Sequence, residues 1–538
     1  MTTDVMAPAK AALAEILEPS RGDVSRPRAS SAYFRGSSGG QIHLAGWNPA
    51  LREPWHDVRA AWVQAAARAV EAAQNSGWIA GGVNTAVANV VGSGLKLNAK
   101  PDYEQLGWTA ADAMQWSRRV EARFNEWCEN PYECDVAGRM TFGQMQAAAY
   151  RSWLAYGETL ALIPLIQRSG AASRTKVLLA PPNRLATTTL EPRVIHGVIV
   201  DVDGLTIGYR FLKRNPWGGD EEIEIAARDR DARPQVVHVF DGAVGQVRGI
   251  SPLAPVLKVT RQYDQLADAT LTTTLLQTVF AATLTSDSLG ENAFEGLNPS
   301  IKNTGASAGV EAYMESRAQW YEAAESIDLG VHGRVATLFP GDKFEFNAAK
   351  TPNDNYERFS KGLLREIAKG LGVTYEDFTG DYSQVTYSSA LMSRNANWPL
   401  TLYRRKHLAT PLPRAVYEAW LEEEIGTGRT PFPGGLQAFL AQRAAVCRAE
   451  WHGPAKPVAD DLKSAKAQDI RLKLGTATLA SLAAEEGGDW EDNADQLARE
   501  VAAFRERGLM HPFVAEVEKA KSAATEREED DEEEREDA

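Results

Sequence analysis

The run 246-QVRGISPLAPVLKVTRQYDQLADATLTTTLLQTVFAATL-284 decides how the chain is read. Gly249, Ser251 and Pro252 punctuate its start. Ser251 is suited to cap a helix, and Pro252 to open it, because the N–H that proline lacks has no partner there anyway. Pro255 still falls in the first turn, and no further glycine or proline occurs until Gly290. Val256, Val259, Tyr263 and Leu266 follow helical spacing, and Leu275, Leu276, Val279 and Phe280 continue the stripe. A helix over 251–284 would be roughly 50 Å long. Its threonines (Thr260, Thr270, Thr272, Thr273, Thr274, Thr278, Thr283) favour it only weakly, so it needs support from neighbouring segments or from copies of itself.

A second helix is expected after Pro352. Tyr356, Phe359, Leu363, Ile367 and Leu371 form one face, with Arg358, Lys361, Arg365 and Lys369 around the other, and Gly370 and Gly372 end it. A polar loop, TYEDFTGDYSQVTYSSA (374–390), follows. A third helix is expected over 391–425, where Pro399, Pro411 and Pro413 should kink or break it. The insert 285–350 reads as a small α/β module, with a helix at 310–324 and strand-like runs at 334–340 and 343–349.

Upstream, helices are expected at 57–75, 82–91, 109–130 and 141–155. Trp116 and Trp127 lie on an apolar face and read as core. Gly92-Ser93-Gly94 lacks the GK[ST] of a phosphate loop and reads as a turn into a strand. From Tyr156 the period changes. The β-rich runs 158–166, 176–182, 193–204, 205–213 and 235–241 predict an antiparallel sheet, with a hairpin at Asp203-Gly204. His196 and His238 fall in such runs without a third ligand and read as satisfied within the sheet. Past 425, GTGRTPFPGG breaks the chain, and helices are expected at 437–451, 461–474, 476–486 and 491–507, with 451–460 extended.

The net charge is −14 over 538 residues. The tail EREEDDEEEREDA (526–538) contributes −8 of it, so the remainder is close to balanced. A protein that grips nucleic acid tightly or reads its sequence would show a basic excess. Cys128, Cys134 and Cys447 match no zinc spacing and read as buried thiols, suited to a reducing cytoplasm. The N-terminus lacks the basic start and apolar run of a signal peptide. No stretch is long and apolar enough for a membrane span. There is no G-x-S-x-G, H-E-x-x-H or Walker A, so no enzyme and no cofactor is expected.

Four stretches, in order along the chain, resemble the portal proteins of tailed bacteriophages, in particular the lambda-like family. They are VVGSGLKL (90–97), RGISPLAPVL (248–257), the D-Y-S-x-x-x-Y-S-S block (381–389) and WHGPAKPVADDLKSAKA (451–467). The resemblance runs from 55 to 509. Where the family usually has Asn and Arg, this chain carries Thr386 and Leu391.

The resemblance implies an α+β portal fold with long stem helices, an antiparallel-sheet wing, a small α/β clip and a helical crown. It divides the chain into an N-terminal arm (1–50), the wing (51–247), a first stem helix (248–284), the clip (285–350) and a second stem helix (351–373). A tunnel loop (374–390), a kinked tunnel helix with further wing (391–450), crown helices (451–515) and an acidic tail (516–538) complete it. It also implies a homo-oligomeric ring, a dodecamer in virions, at one capsid vertex. Double-stranded DNA would be packaged, retained and ejected through this ring, assembled in the host cytoplasm. Terminase, a head-tail adaptor and the major capsid or scaffolding protein would be its partners. The tunnel-loop residues Tyr375, Asp381, Tyr382, Ser383, Thr386, Tyr387, Ser388 and Ser389 would face the channel. Hydroxyls and acids without Lys or Arg could touch phosphates without trapping them. The cluster Arg404, Arg405 and Lys406 has two readings, a DNA-facing patch or a solvated face with salt bridges between subunits. Tyr313, Trp320 and Tyr321 are candidates for the clip interface. The alternatives are another virion structural or head-tail joining protein, or a subunit of a DNA-processing enzyme.

Overall fold

The computed structural model describes residues 50–187, 191–214, 219–279, 282–286, 315–316, 318–319, 322, 342–346, 354–458 and 461–518. It holds two compact units, one of 1–257 with 366–538 and one of 258–365. The expected arm (1–50), save its last residue, and most of the acidic tail lie outside the described residues, as do Tyr313, Trp320 and Tyr321.

The first unit begins with the helix Pro54–Asn75, with proline at its start and Val58, Trp62, Ala66, Ala69 and Ala72 buried. The helix Gly77–Val90 follows, then strand β1 (Lys96–Ala99) after the glycine turn. The helix Ala110–Glu129 is capped by Thr109 and buries Trp116, Phe124 and Trp127. A reciprocal Thr141/Gln144 cap opens the helix Phe142–Tyr156. Phe124 anchors an aromatic cluster with Trp420, 5.0 Å away, Trp127 and Tyr417. The two tryptophans of the 110–129 helix are therefore core. Cys128, Cys134 and Cys447 are free thiols, and burial raises all three above the ordinary thiol range.

Two antiparallel sheets follow. One has the order β3-β2-β8, from Leu178–Ala180, Glu158–Leu162 and Val236–Phe240. The other runs β4-β5-β6-β7, from Val194–Ile195, Val198–Val200, Thr206–Arg214 and Asp220–Ala226. Leu160, Leu185, Val198, Tyr209, Phe211 and Val236 form one apolar cluster between them. The hairpin at Asp203-Gly204 is present, its turn closed by the Asp201 carboxylate accepting from the Asp203 and Leu205 N–H groups. The sequence reading missed β7 (DEEIEIA). Its acids mask the alternation, yet Ile223 and Ile225 pair with Phe211 and Tyr209.

Three elements join at one buried ion pair. Glu158 of β2 and Arg248, both with fully buried side chains, meet through Nη2 at 2.5 Å and Nε at 2.8 Å. Arg248 also donates to the carbonyls of His196 and Pro182, and its guanidinium lies 4.3 Å from the Trp62 ring centre. Glu158 accepts from the Gly249 N–H and bonds the His238 ring. Burial opposes the Glu158 charge, but Arg248 and His238 outweigh it and hold the carboxyl at about 2. His238 is satisfied as expected. His196 is buried with Nδ1 unpartnered, and burial, then Arg248, lower it to about 4. Ser251 does not cap a long helix directly. Its hydroxyl donates to the Leu154 carbonyl and accepts from the Leu253 N–H.

The helix expected over 251–284 is shorter. A 3₁₀ turn (Ala254–Val256) precedes the helix Leu257–Val279, and Ala282–Ser286 is a strand, β9. β9 pairs antiparallel with β10 (Asp342–Phe346), and its Thr283 and Thr285 suit a strand better than a helix end. Within the second unit, the threonines of the long helix satisfy their hydroxyls on their own backbone: Thr270 donates to Leu266 O, and Thr274 to Thr270 O. Of the helix expected at 310–324, residues 315–316, 318–319 and 322 are helical. The helix Asp354–Leu371 buries Leu364, Ile367, Ala368 and Leu371 but exposes Phe359, so its inner face is rotated from the expected one.

The 437–451 helix is also corrected. Two short helices, Gly435–Ala441 and Arg443–Val446, lead into strand β11 (Ala449–His452), which pairs with β1 across more than 350 residues of sequence. Among the described residues no helix is long and apolar enough to cross a membrane.

Replacing Arg248 by methionine keeps much of its volume but strands the Glu158 carboxylate. Breaking such a pair from one side costs about 3–5 kcal/mol. Denaturant unfolding of the R248M variant should show a loss of that size, and an unchanged midpoint would contradict it.

Candidate DNA-channel segment

The candidate segment is mounted on a close-packed corner. Gly372 ends the preceding helix with φ +73°, and a Cβ there would come within 2.5 Å of the Arg404 guanidinium. Gly82 leaves room for Leu371 and Phe378, since a Cβ there would lie 2.5 Å from Leu371 Cδ1 and 2.7 Å from the Phe378 ring. Trp78 packs on Phe378 with ring centres 5.7 Å apart.

The polar stretch 374–390 is not one loop. Thr374 caps a short helix, Tyr375–Thr379, which Gly380 ends in the left-handed conformation. The free loop is 380–386. Asp381 folds it into a turn by accepting from the Ser383 N–H at 3.1 Å and hydroxyl at 2.5 Å. Thr386, whose hydroxyl accepts from the Ser389 N–H, then caps the helix Tyr387–Arg404. A threonine hydroxyl is well suited to this job. Tyr375 therefore sits half-buried in the short helix, while Tyr387, Ser388 and Ser389 are exposed on the first turn of the long one.

A three-residue network ties loop to helix. Arg394 donates to Asp377 Oδ1 through Nη2 at 2.6 Å and Nε at 3.0 Å. The Tyr382 hydroxyl donates to the same oxygen at 2.8 Å and receives Arg394 Nη2 at 3.1 Å. Burial opposes the Asp377 charge, yet bonds from Arg394, Tyr382 and Thr374 hold its carboxyl below the usual range. Tyr382 is pushed up by burial and then by Asp377. Ser393 donates to Glu376, and Asn397 to the Gly372 carbonyl. Sequence reasoning missed Arg394. It is the first basic residue after the cation-free run 374–393, and that isolation was the available signal.

The cluster at 404–406 separates. Arg404 is buried, donates to the Leu371 carbonyl and lies over the Trp153 ring at 5.2 Å. Arg405 donates to the carbonyls of Asn89 and Val90 at 3.1 Å and of Pro454 at 2.9 Å. Within the chain both guanidiniums serve as internal ties to backbone carbonyls. Lys406 alone is exposed. Pro399 lies inside the helix without ending it. No break occurs there, but the break expected at Pro411 is present: the turn before it is a π turn, Arg405–Ala409, where the Thr410 N–H and hydroxyl both reach Arg405 O at 2.9 Å. Pro411 then opens the next helix, Pro411–Gly426.

The class of protein follows from comparison with known families. The model for the lambda family of phage portal proteins matches residues 41–405, well over half of the chain and all of the candidate segment. The chain belongs to that family. It is 28% identical over 495 residues to the portal protein of Escherichia phage N15, covering 90% of this chain and 92% of that one. It is 28% identical over 503 residues to portal protein B of Escherichia phage lambda, with the same coverage. Among solved structures, a chain from the neck of an empty GTA particle, computed with C6 symmetry, is similar at a TM-score of 0.44. It is 12% identical, covering 76% of this chain and 90% of that one. A HK97 family phage portal protein from Corynebacterium diphtheriae is similar at a TM-score of 0.28, with 10% identity, covering 66% of this chain and 88% of that one. Portal proteins are structural components of the virion at the capsid vertex, and DNA is packaged through the channel they form.

Substituting Asp377 by asparagine should loosen the loop from the helix. Arg394 is partly exposed, so the pair is worth about 1 kcal/mol. Hydrogen exchange of the 380–386 amides should quicken roughly five-fold. Unchanged exchange would show that the network does not hold the loop.

Proposed function

We propose that copies of this chain form a closed ring of twelve at one capsid vertex, with the 380–389 surface facing double-stranded DNA in the channel. The observation that carries this is the surface itself. Within 374–393 there is no lysine or arginine, and the nearest guanidinium, Arg394, is committed to Asp377. What remains outward is uncharged: Tyr382, Ser383, Gln384, Thr386, Tyr387, Ser388 and Ser389 are exposed. Such a lining can hydrogen-bond phosphates in passing but releases no counterions, so it does not hold DNA in place. The ring is supported by apolar side chains left exposed on a single chain. Leu271 of one long helix and Phe359 of another are examples, and burial against neighbouring copies would account for them.

On this reading the chain performs no catalysis. The energy for packaging comes from a terminase that docks on 285–350, and a head-tail adaptor later takes the same end. The capsid or scaffolding protein contacts 51–247. Assembly occurs in the host cytoplasm.

A lysine introduced at Ser388 tests the channel assignment. This exposed position lies outside the Asp377 network, so the fold should tolerate it. The S388K ring should package DNA several-fold more slowly at low salt and recover as salt rises, because each added cation condenses on phosphate. Packaging that matches wild type at every salt concentration would place this surface away from the DNA.

A further inference from the structure

The helix Trp490–Glu506 fully buries none of its residues. It half-buries Trp490, Leu497, Val501 and Phe504, and polar contacts help to seat it. Arg118 of the Ala110–Glu129 helix meets Asp495 at 2.6 Å. Asn98 of β1 donates to Asp489 at 2.5 Å. Between these contacts lies a cavity of about 500 Å³, lined by Asn98, Glu121, Asp489, Glu491 and Asp492 among others. Glu121 reaches it from the 110–129 helix and accepts from the Ala99 N–H at 2.6 Å.

The charges around Glu121 are uneven. On its own helix, Arg118 is taken by Asp495. After β1, Lys100 is taken by Glu450 at 3.1 Å, while Asp102 and Arg448 pair with each other at 3.4 Å. From β11, His452 sits 3.0 Å from the Asn98 amide. From the Pro411–Gly426 helix comes the fully buried Tyr417 phenol, which stays neutral. From the C-terminal segment come Asp489, Glu491 and Asp492. The cations at the rim thus have acids of their own, and three carboxylates confront a fourth. Burial raises the Glu121 carboxyl most, and Asp492, Asp489 and Glu491 raise it further against the pull of the Ala99 N–H, to about 7. Glu491 is raised as well, by burial and then Asp489.

We propose that this seam is a proton-dependent latch: the helix 490–506 is seated while Glu121 carries a proton and loosens when Glu121 ionises against Asp489, Glu491 and Asp492. The sign follows from linkage. A carboxyl raised by seating stabilises the seat fully below its ordinary value of 4.5 and ceases to do so as pH rises through 7. Between pH 6 and 8 the opening equilibrium should therefore grow, by about ten-fold at most, since burial by the 110–129 helix and β1 shares in the shift. His452 acts in the other direction, since burial lowers it and its protonation in acid opposes seating. A variant altered only at Glu121 keeps that contribution, so comparison with wild type isolates the latch.

The test is limited proteolysis of the full chain between pH 6 and 8. Cleavage within 461–518 is measured against an unstructured reference peptide in the same tube. Wild type should be cleaved several-fold faster at pH 8 than at pH 6. E121Q, whose amide oxygen still accepts from Ala99, should lose most of that rise and keep only what Glu491 contributes. D492N, which removes one facing charge from the other side of the seam, should show a smaller one. A flat wild-type profile, or a rise in E121Q equal to wild type, overturns the latch. If E121Q does not fold, an undiminished rise in D492N overturns it.

Discussion

The fold depends on one buried charge pair. Glu158 and Arg248 are both withdrawn from water, and neither could stay there alone. Satisfying them draws in the ring of Trp62 from the first helix, the carbonyls of Pro182 and His196, the His238 ring and the Gly249 N–H. The backbone must come very close for this to work. A Cβ on Gly157 would lie 2.1 Å from the Ile250 carbonyl carbon, and one on Gly249 would lie 2.0 Å from the Gly157 oxygen. The pair thereby fixes the point from which the chain leaves the sheets for the helix beginning at Leu257.

Arginine serves the same purpose beneath the 374–390 stretch. Arg404 and Arg405 close the corner between the 354–371 helix, the 77–90 helix and Pro454 by donating to carbonyls that no regular element satisfies. A guanidinium can do this because its planar fork serves several acceptors at once. The outcome is a division of labour by burial. The basic side chains support the segment from within, and the face turned outward is left with hydroxyls, phenols and acids. A chain that must let a polyanion slide gains from hiding its cations.

Much of this was legible in the sequence. Periodicity placed the helices with Trp116 and Trp127 inward, and the hairpin at Asp203-Gly204 was fixed by turn chemistry. The motif order pointed to the portal family that the comparisons establish. Other parts were hidden for physical reasons. Strand β7 carries acids at solvent-facing positions, which obscures its isoleucines. β11 exists only because β1 pairs with it from far along the chain, and no local signal encodes such a partner. The 374–390 stretch reads as a loop by composition, yet Thr374 and Thr386 are helix caps, and composition does not distinguish a cap from a turn. The basic cluster could not be resolved from sequence, because burial by distant residues such as Trp153 decides what an arginine does.

The central claim is that copies of this chain close around a channel and present the cation-free 380–389 surface to it. Electron microscopy of the purified full-length protein, taken to the resolution at which loops are traced, tests this most directly. Particles with rotational symmetry and a central hole wide enough for duplex DNA are expected, with residues 380–389 on the inner wall. A ring whose inner wall is formed by other segments, or a compact particle without a hole, would contradict it.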